Sequence, residues 1–228
     1  AVAFVGGWLA SCGVNAATQE FRTSEVIQAS QSAEESVRLQ AVDQLGKQAA
    51  GPEKEAVIEA LARALKDESA AVRAHAVHAL GQIGTEARPV FPQLSALVDD
   101  SEAVVRRSLA QVAARIEPDS EVSVGLLVKL LGDTEPSVRV RAASALADMG
   151  TVSVPALTEA MKDKHTEYWA ILTLNEIGPK ATEAVSALAE KVGQGDTEIR
   201  QQAILALAAI GPGAKDSVPV LLEALKQP

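Results

Sequence analysis

Residues 67–84 read Asp67-Glu68-Ser69-Ala70-Ala71-Val72-Arg73-Ala74-His75-Ala76-Val77-His78-Ala79-Leu80-Gly81-Gln82-Ile83-Gly84. Counting from Val72, apolar residues recur at Ala76, Leu80 and Ile83. These offsets of zero, four, eight and eleven share one face of an α-helix about four turns long. The glycine that follows stands where a helix stops in left-handed geometry. The same phrase recurs along the chain. Its Val-Arg start appears as Val37-Arg38, Val105-Arg106, Val138-Arg139 and Ile199-Arg200, with a sixth copy at Thr166-Glu167. Successive copies are separated by 35, 33, 33, 28 and 33 residues. A fixed period of this length is the signature of a stacked repeat, because one helix pair cannot bury its apolar stripe alone.

Each copy holds a second apolar stripe. Val218, Leu221, Leu222 and Leu225 follow helical spacing, as do Val57, Leu61 and Leu65. Pro92, Pro155 and Pro219 fall near the starts of second helices, where a missing N–H costs nothing. Asp67, Asp100, Asp133 and Asp163 close copies just before the next helix, a place favoured for an acid by capping and by the helix dipole. Composition agrees. Hydrophobic residues make up 47% but aromatic ones only 3%, so Ala, Val and Leu supply the core, as in close-packed helices rather than sheets. A net charge of −9 argues against nucleic acid or anionic lipid as the main partner. No run of 18 apolar residues predicts a membrane-spanning helix.

The pattern Asp-x-x-x-x-Val-Arg-x-x-Ala-x-x-Ala-Leu-x-x-Ile-Gly, followed by Val-Pro-x-Leu, resembles the short HEAT repeats of the phycobilin-lyase type. The resemblance covers six copies over about residues 36 to 226. It implies an all-α solenoid of helix-turn-helix repeats, with second helices on the concave face. It also implies an inter-repeat ladder in which Arg73, Arg106, Arg139 and Arg200 are structural, together with Asp67, Asp100 and Asp133. It says little about function, since such repeats serve many partners.

The N-terminus reads as an address. Residues 1–10 are apolar without a break, too short to span a membrane but the length of a signal-peptide core. The run ends in Leu9-Ala10-Ser11-Cys12, which resembles the lipobox of bacterial lipoproteins, a family in which the cysteine takes the lipid. Val14-Asn15-Ala16 offers a competing cleavage pattern for plain secretion, and a helix packed on the solenoid end is the third reading. A basic segment is expected upstream. The single cysteine, Cys12, excludes an internal disulfide framework. The domain reading is a signal or lipobox-like segment at 1–17, a polar tether or frayed first helix at 18–35, and the solenoid at 36–228.

Catalytic signals are sparse. His75 and His78 lie three apart on one helix, a spacing that can present two imidazoles to a metal, but no third ligand is near. The His-Glu pairs of the HEAT-repeat iron hydroxylases are missing, since Ala76, Ala79 and Thr166 follow the three histidines. No phosphate loop, nucleophile elbow or zinc-helix motif is found. The irregular place is the junction of copies four and five. There the period drops to 28, the loss falls between Gly150 and Pro155, and His165, Tyr168 and Trp169 gather within five positions. Trp169 either fills the volume left by the shortened loop or anchors a partner with His165 and Tyr168. The expectation is a non-catalytic protein-binding scaffold, without cofactor or metal. It is exported and anchored in the envelope, or secreted, and meets the membrane only through a lipid on Cys12. The alternative is an accessory or bilin-lyase-type subunit.

Overall fold

A computed structural model describes residues 22–48, 53–118 and 120–226. The 1–17 segment with Cys12 lies outside the described residues. Every regular element among the described residues is helical.

A short helix α1 (Thr23–Ala29) precedes six helix pairs. The first helices of the pairs are α2 (Glu35–Gln48), α4 (Ala70–Ile83), α6 (Ala103–Ile116), α8 (Pro136–Met149), α10 (Glu167–Ile177) and α12 (Thr197–Ile210). The second helices are α3 (Lys54–Ala64), α5 (Phe91–Ser95), α7 (Glu121–Leu131), α9 (Val154–Ala160), α11 (Val185–Gln194) and α13 (Val218–Ala224). The α5 helix is short because its last turn continues as a 3-10 helix, Ala96–Asp99. The pairs stack in chain order, first helix on first helix: α2 on α4, α4 on α6, α6 on α8, α8 on α10 and α10 on α12. Within segment 18–35, α1 buries Val26 and docks on α2 and α3.

Stacking is close because small residues recur where the helices touch. A Cβ added to Gly81 of α4 would lie 2.3 Å from Cγ1 of Val112 on α6. One added to Gly46 of α2 would lie 3.0 Å from Cβ of Ala79 on α4. Both glycines sit nine residues after the repeat's valine, and Ala114, Ala147 and Ala208 hold the same offset. The alanine-rich composition therefore reflects backbone proximity between repeats as well as helix propensity.

The glycines that end α4, α8, α10 and α12 depart from the left-handed cap expected of them. Gly84, Gly150, Gly178 and Gly211 have φ of 61–72° with ψ near −130°. That region is open essentially to glycine alone, and it turns the chain directly into a 3-10 segment instead of a Schellman cap.

The short period between copies four and five arises in two places. The 3-10 segment Gly150–Ser153 has 4 residues where Gly84–Val90 and Gly211–Ser217 each have 7. The turn from Asp163 to Thr166 has also lost two residues relative to Asp133 and Val138. The loss is therefore not confined to the stretch between Gly150 and Pro155. As a result the first turn of α10 is unwound, and Thr166 precedes the helix rather than lying within it. Thr166 still takes the buried valine position, its Oγ1 donating to the Ala160 carbonyl at 2.7 Å.

Thr197–Ala224 is long and apolar enough to cross a membrane by length and composition alone, although it holds no run of 18 apolar residues. It comprises α12 and α13, joined through the 3-10 segment at Gly211. α12 packs on α10 and α11, and α13 on α11, as the last repeat of the stack.

Candidate interaction site: the arginine ladder and the places where it stops

In the first three repeats, the arginine after the buried valine reaches in two directions. Arg73 donates from Nε and Nη2 to both carboxylate oxygens of Asp100, at 2.8 Å each, and from Nη1 to the Asp67 carbonyl at 2.9 Å. Arg106 does the same with Asp133, at 2.6 and 2.9 Å, and with the Asp100 carbonyl at 2.6 Å. Arg38 binds Asp67 at 2.7 and 3.0 Å and the Ser32 carbonyl at 3.0 Å. Each aspartate also accepts the amide two residues on, from Ser69, Glu102 or Glu135. One guanidinium thus holds the turn before its own helix and the turn before the next. Such bidentate contacts fix geometry as much as they add energy.

The electrostatics follow. The Arg106 hydrogen bonds outweigh burial and hold the Asp133 carboxyl below the usual carboxylate range. Burial alone would push Asp100 up. The Arg73 hydrogen bonds, the Glu102 amide and the charges of Arg73 and Arg106 overcome it, so that this carboxyl also lies low. The carboxylates in turn raise the arginines: Asp67 that of Arg38, Asp100 that of Arg73 and Asp133 that of Arg106.

The ladder does not extend to Arg139 and Arg200, which corrects the expectation that all four arginines are equivalent. Arg139 keeps its backward grip, with Nη1 donating to the Asp133 carbonyl at 2.6 Å, but its Nε is buried without a partner. Asp163 accepts the His165 amide as its counterparts accept theirs, but across a turn two residues shorter its carboxylate makes no bond to Arg139. In place of an aspartate, the Trp169 ring lies 5.4 Å from the guanidinium. Trp169 is half-buried, packed against the core and edge-on to Tyr168 at 5.8 Å. His165 is exposed beside them. The fifth repeat inverts the charges: Glu167, in the arginine's place, binds Lys191 of α11 at 2.6 Å. Arg200 in the sixth repeat has a buried Nε without a partner among the described residues.

His75 and His78 are both exposed; His75 lies 2.7 Å from Asp43 on α2, and His78 lies 3.0 Å from Gln82. Among the described residues no group of three metal-binding side chains exists. Two open grooves, of about 330 Å³ between α6 and α8 and 350 Å³ beside α9 and α11, are lined mostly by polar residues such as Arg115, Arg141, Lys162 and Glu190.

Sequence reasoning missed three features. Arg38 is a ladder member, signalled by the Val-Arg pair itself. The Glu167–Lys191 pair had no period-based signal. The third is the last repeat, where Val218, Leu222 and Leu225 of the second stripe stand exposed.

No sequence relative is found among curated proteins. Solved structures share the architecture at low identity. The complex of CpcE and CpcF of phycocyanin lyase from Nostoc sp. is 22% identical with a TM-score of 0.54, over 94% of this chain and 90% of that one. YibA from E. coli is 22% identical with a TM-score of 0.52, over 90% and 75% of the two chains. An engineered protein is 24% identical with a TM-score of 0.51, over 84% and 97%. The family described as HEAT repeats matches residues 23–114 and 91–169, and the PBS lyase HEAT-like repeat matches residues 199–227. With that match, six stacked helix pairs and an arginine–aspartate ladder between them, the chain belongs to the HEAT-repeat family.

Proposed function

We propose that this chain is a non-catalytic scaffold that binds another protein, exported and held at the cell envelope by a lipid on Cys12. The observation that carries protein binding is the strip of large apolar side chains left open on the last repeat, including Leu205, Val218, Leu222 and Leu225. Large apolar side chains exposed together on one repeat mark interaction sites. Export and anchoring rest on the apolar run 1–10 and on Leu9-Ala10-Ser11-Cys12.

Two measurements test the reading. The tagged chain should retain a protein from envelope extracts that a HEAT-repeat control of equal length does not, and empty capture would sink the scaffold role. Expressed with its upstream segment in a Gram-negative host, the protein should incorporate labelled palmitate, and Cys12→Ser should abolish the label. Label that persists in Cys12→Ser would end the lipid-anchor reading. A second reading, an accessory subunit of the bilin-lyase kind, draws on the match of the last repeat to the PBS lyase HEAT-like repeat. Transfer of a bilin to an acceptor protein in the chain's presence would favour it.

A further inference from the structure

Where successive first helices meet, the residue nine after the repeat's valine faces the one seven after it on the next helix: Gly46 faces Ala79, and Gly81 faces Val112. At the three later joints the same offsets give Ala114 with Ala145, Ala147 with Thr173 and Asn175 with Ala206. Ala79, Val112, Thr173 and Ala206 are closed over, at 3%, 1%, 0% and 0% exposed. Ala145 is half-buried, and so is Ala114 opposite it. The joint of α6 with α8 has neither a glycine that lets the helices close nor a side chain large enough to fill the gap. It stays open as the groove of about 330 Å³, with Ala114, Pro118, Ala145 and Met149 as its apolar lining.

The banks of this groove are cationic. On α6, Arg107, Gln111 and Arg115 stand four residues apart and form one ridge; on α8, Arg141 stands one turn before Ala145 and Asp148 one turn after. Arg115, Arg141 and Asp148 line the groove, and Arg107 extends the α6 bank by a turn. All three arginines are exposed, and none makes a side-chain hydrogen bond or ion pair among the described residues. The ladder arginines Arg73 and Arg106, on the same helices α4 and α6, are by contrast committed to aspartates. The banks thus hold three positive charges against one negative, on a chain whose net charge is −9. Val140, one turn before the groove-lining Ser144, is 54% exposed and adds apolar surface to the α8 bank.

We infer that the groove between α6 and α8 is a docking site for an acidic segment of a partner protein. An apolar side chain of leucine or methionine size enters over Ala145, and flanking carboxylates are taken by Arg115 and Arg141. The inference rests on the protein-binding reading above and names the partner's chemistry, at a surface separate from the apolar strip on the last repeat. A guanidinium fork matches a carboxylate with two parallel hydrogen bonds, as Arg106 and Asp133 do within the fold. The apolar lining selects a protein segment over a polyanion, because a nucleic acid or a charged membrane offers no side chain to fill it and meets repulsion from the rest of the chain.

Random peptides displayed on phage are the probe, panned on the 228-residue chain with soluble Arg115→Glu/Arg141→Glu chain in excess as competitor. Enriched peptides should carry Asp or Glu on both sides of a Leu or Met. The fluorescein-labelled consensus peptide should bind saturably by anisotropy. Binding should weaken at least tenfold with Arg115→Glu/Arg141→Glu, and likewise with Ala145→Leu, which fills the groove, while Trp169→Ala leaves it unchanged. Replacing the peptide's acids by Lys should abolish binding to the native chain and restore it to the Arg115→Glu/Arg141→Glu chain. Both arginines are exposed and unbonded, so that variant should keep the native circular dichroism and melting temperature.

Panning that enriches no acidic peptide overturns the inference, as does a consensus peptide that binds the Arg115→Glu/Arg141→Glu chain equally well. So does a dimer in sedimentation velocity that this variant dissolves, which would make a second copy the occupant. Binding to phosphatidylglycerol vesicles or to single-stranded RNA that the variant abolishes would assign the groove to a polyanion instead. A protein captured from envelope extracts and retained equally by the variant overturns this inference while leaving the scaffold reading intact, whereas empty capture removes that reading itself.

Discussion

Gly81 and Val112 allow the stacking of repeats to be tested as a two-residue cycle. A methyl placed on Gly81 would sit 2.3 Å from Cγ1 and 2.6 Å from Cβ of Val112, which is fully enclosed on α6. Neither atom is the tip of a flexible chain. Val112 is β-branched and locked in its helix, so relief requires the two first helices to separate by about an ångström. Overpacking of this kind costs roughly 1–3 kcal/mol, with the upper half expected because two atoms clash at once. Alanine in a helix interior recovers about 1 kcal/mol relative to glycine. Gly81→Ala alone should therefore destabilise by about 1–2 kcal/mol. In a Val112→Gly background both obstructing atoms are gone, and the added Cβ fills part of the space they leave. There the same substitution should stabilise by about 1 kcal/mol. The two changes should thus show a coupling of about 2–3 kcal/mol, measured by urea unfolding of the four proteins followed by circular dichroism. Additive effects, within about 0.5 kcal/mol, would refute the claim that backbone proximity between α4 and α6 explains the small residues at this offset.

Trp169→Ala should cost about 2–3 kcal/mol, less than for a fully buried tryptophan, because the ring is half-buried and loses its contact with Arg139; a melting temperature unchanged within error would show that the ring bears no structural load. Asp133→Asn should cost about 3 kcal/mol at neutral pH by stranding Arg106, as read from chemical denaturation. The Asp100 and Asp133 carboxyls lie lower in the folded chain than in the unfolded one. Their contribution is therefore complete above the ordinary carboxylate range near about 4 and is lost as pH falls through the folded values. Doubly substituted Asp100→Asn/Asp133→Asn protein should show a flatter decline of stability in acid, and an identical decline would exclude these residues as its source. Gly150→Ala meets no atom within 4 Å at the new Cβ. Its cost of about 1–3 kcal/mol should come from the positive φ alone, so Gly150→Asn should cost no less than Gly150→Ala. Cleavage after Asp163 should leave repeats one to four folded by circular dichroism.

The fold was legible because its determinants are local and periodic. Val72, Ala76 and Leu80 share a helical face whatever lies beyond them, and repetition at 33 residues leaves little but a stack. The ladder was legible only as residue types. Whether Arg139 finds an aspartate depends on the length of the turn before Thr166, a three-dimensional quantity that the spacing shows as a shortfall but does not locate. The ψ of the four glycines was hidden for a similar reason: sequence demands a positive φ, while the 3-10 segment that follows decides which positive-φ region is used. The open end was half visible. Leu205 is apolar where the first four copies carry Asp43, His78, Gln111 and Ser144, but Leu225 occupies a position that the pattern alone assigns to the core. Its exposure comes from the lack of a following repeat among the described residues, not from anything in its own helix.

The change of fastening between repeats four and five has a mechanical consequence. Upstream, each joint is riveted by a guanidinium that grips two turns at once, so shear at one joint loads the next. At Arg139 the rivet is replaced by a cation resting on an indole face, a contact that slides at little cost because it has no directional hydrogen bond to break. A solenoid pulled from its ends yields first at its least directional joint. Stretched in a single-molecule trap, this chain should part first beyond repeat four, where no guanidinium bridges successive turns, and only at higher load unravel the riveted segment from Glu35 to Met149.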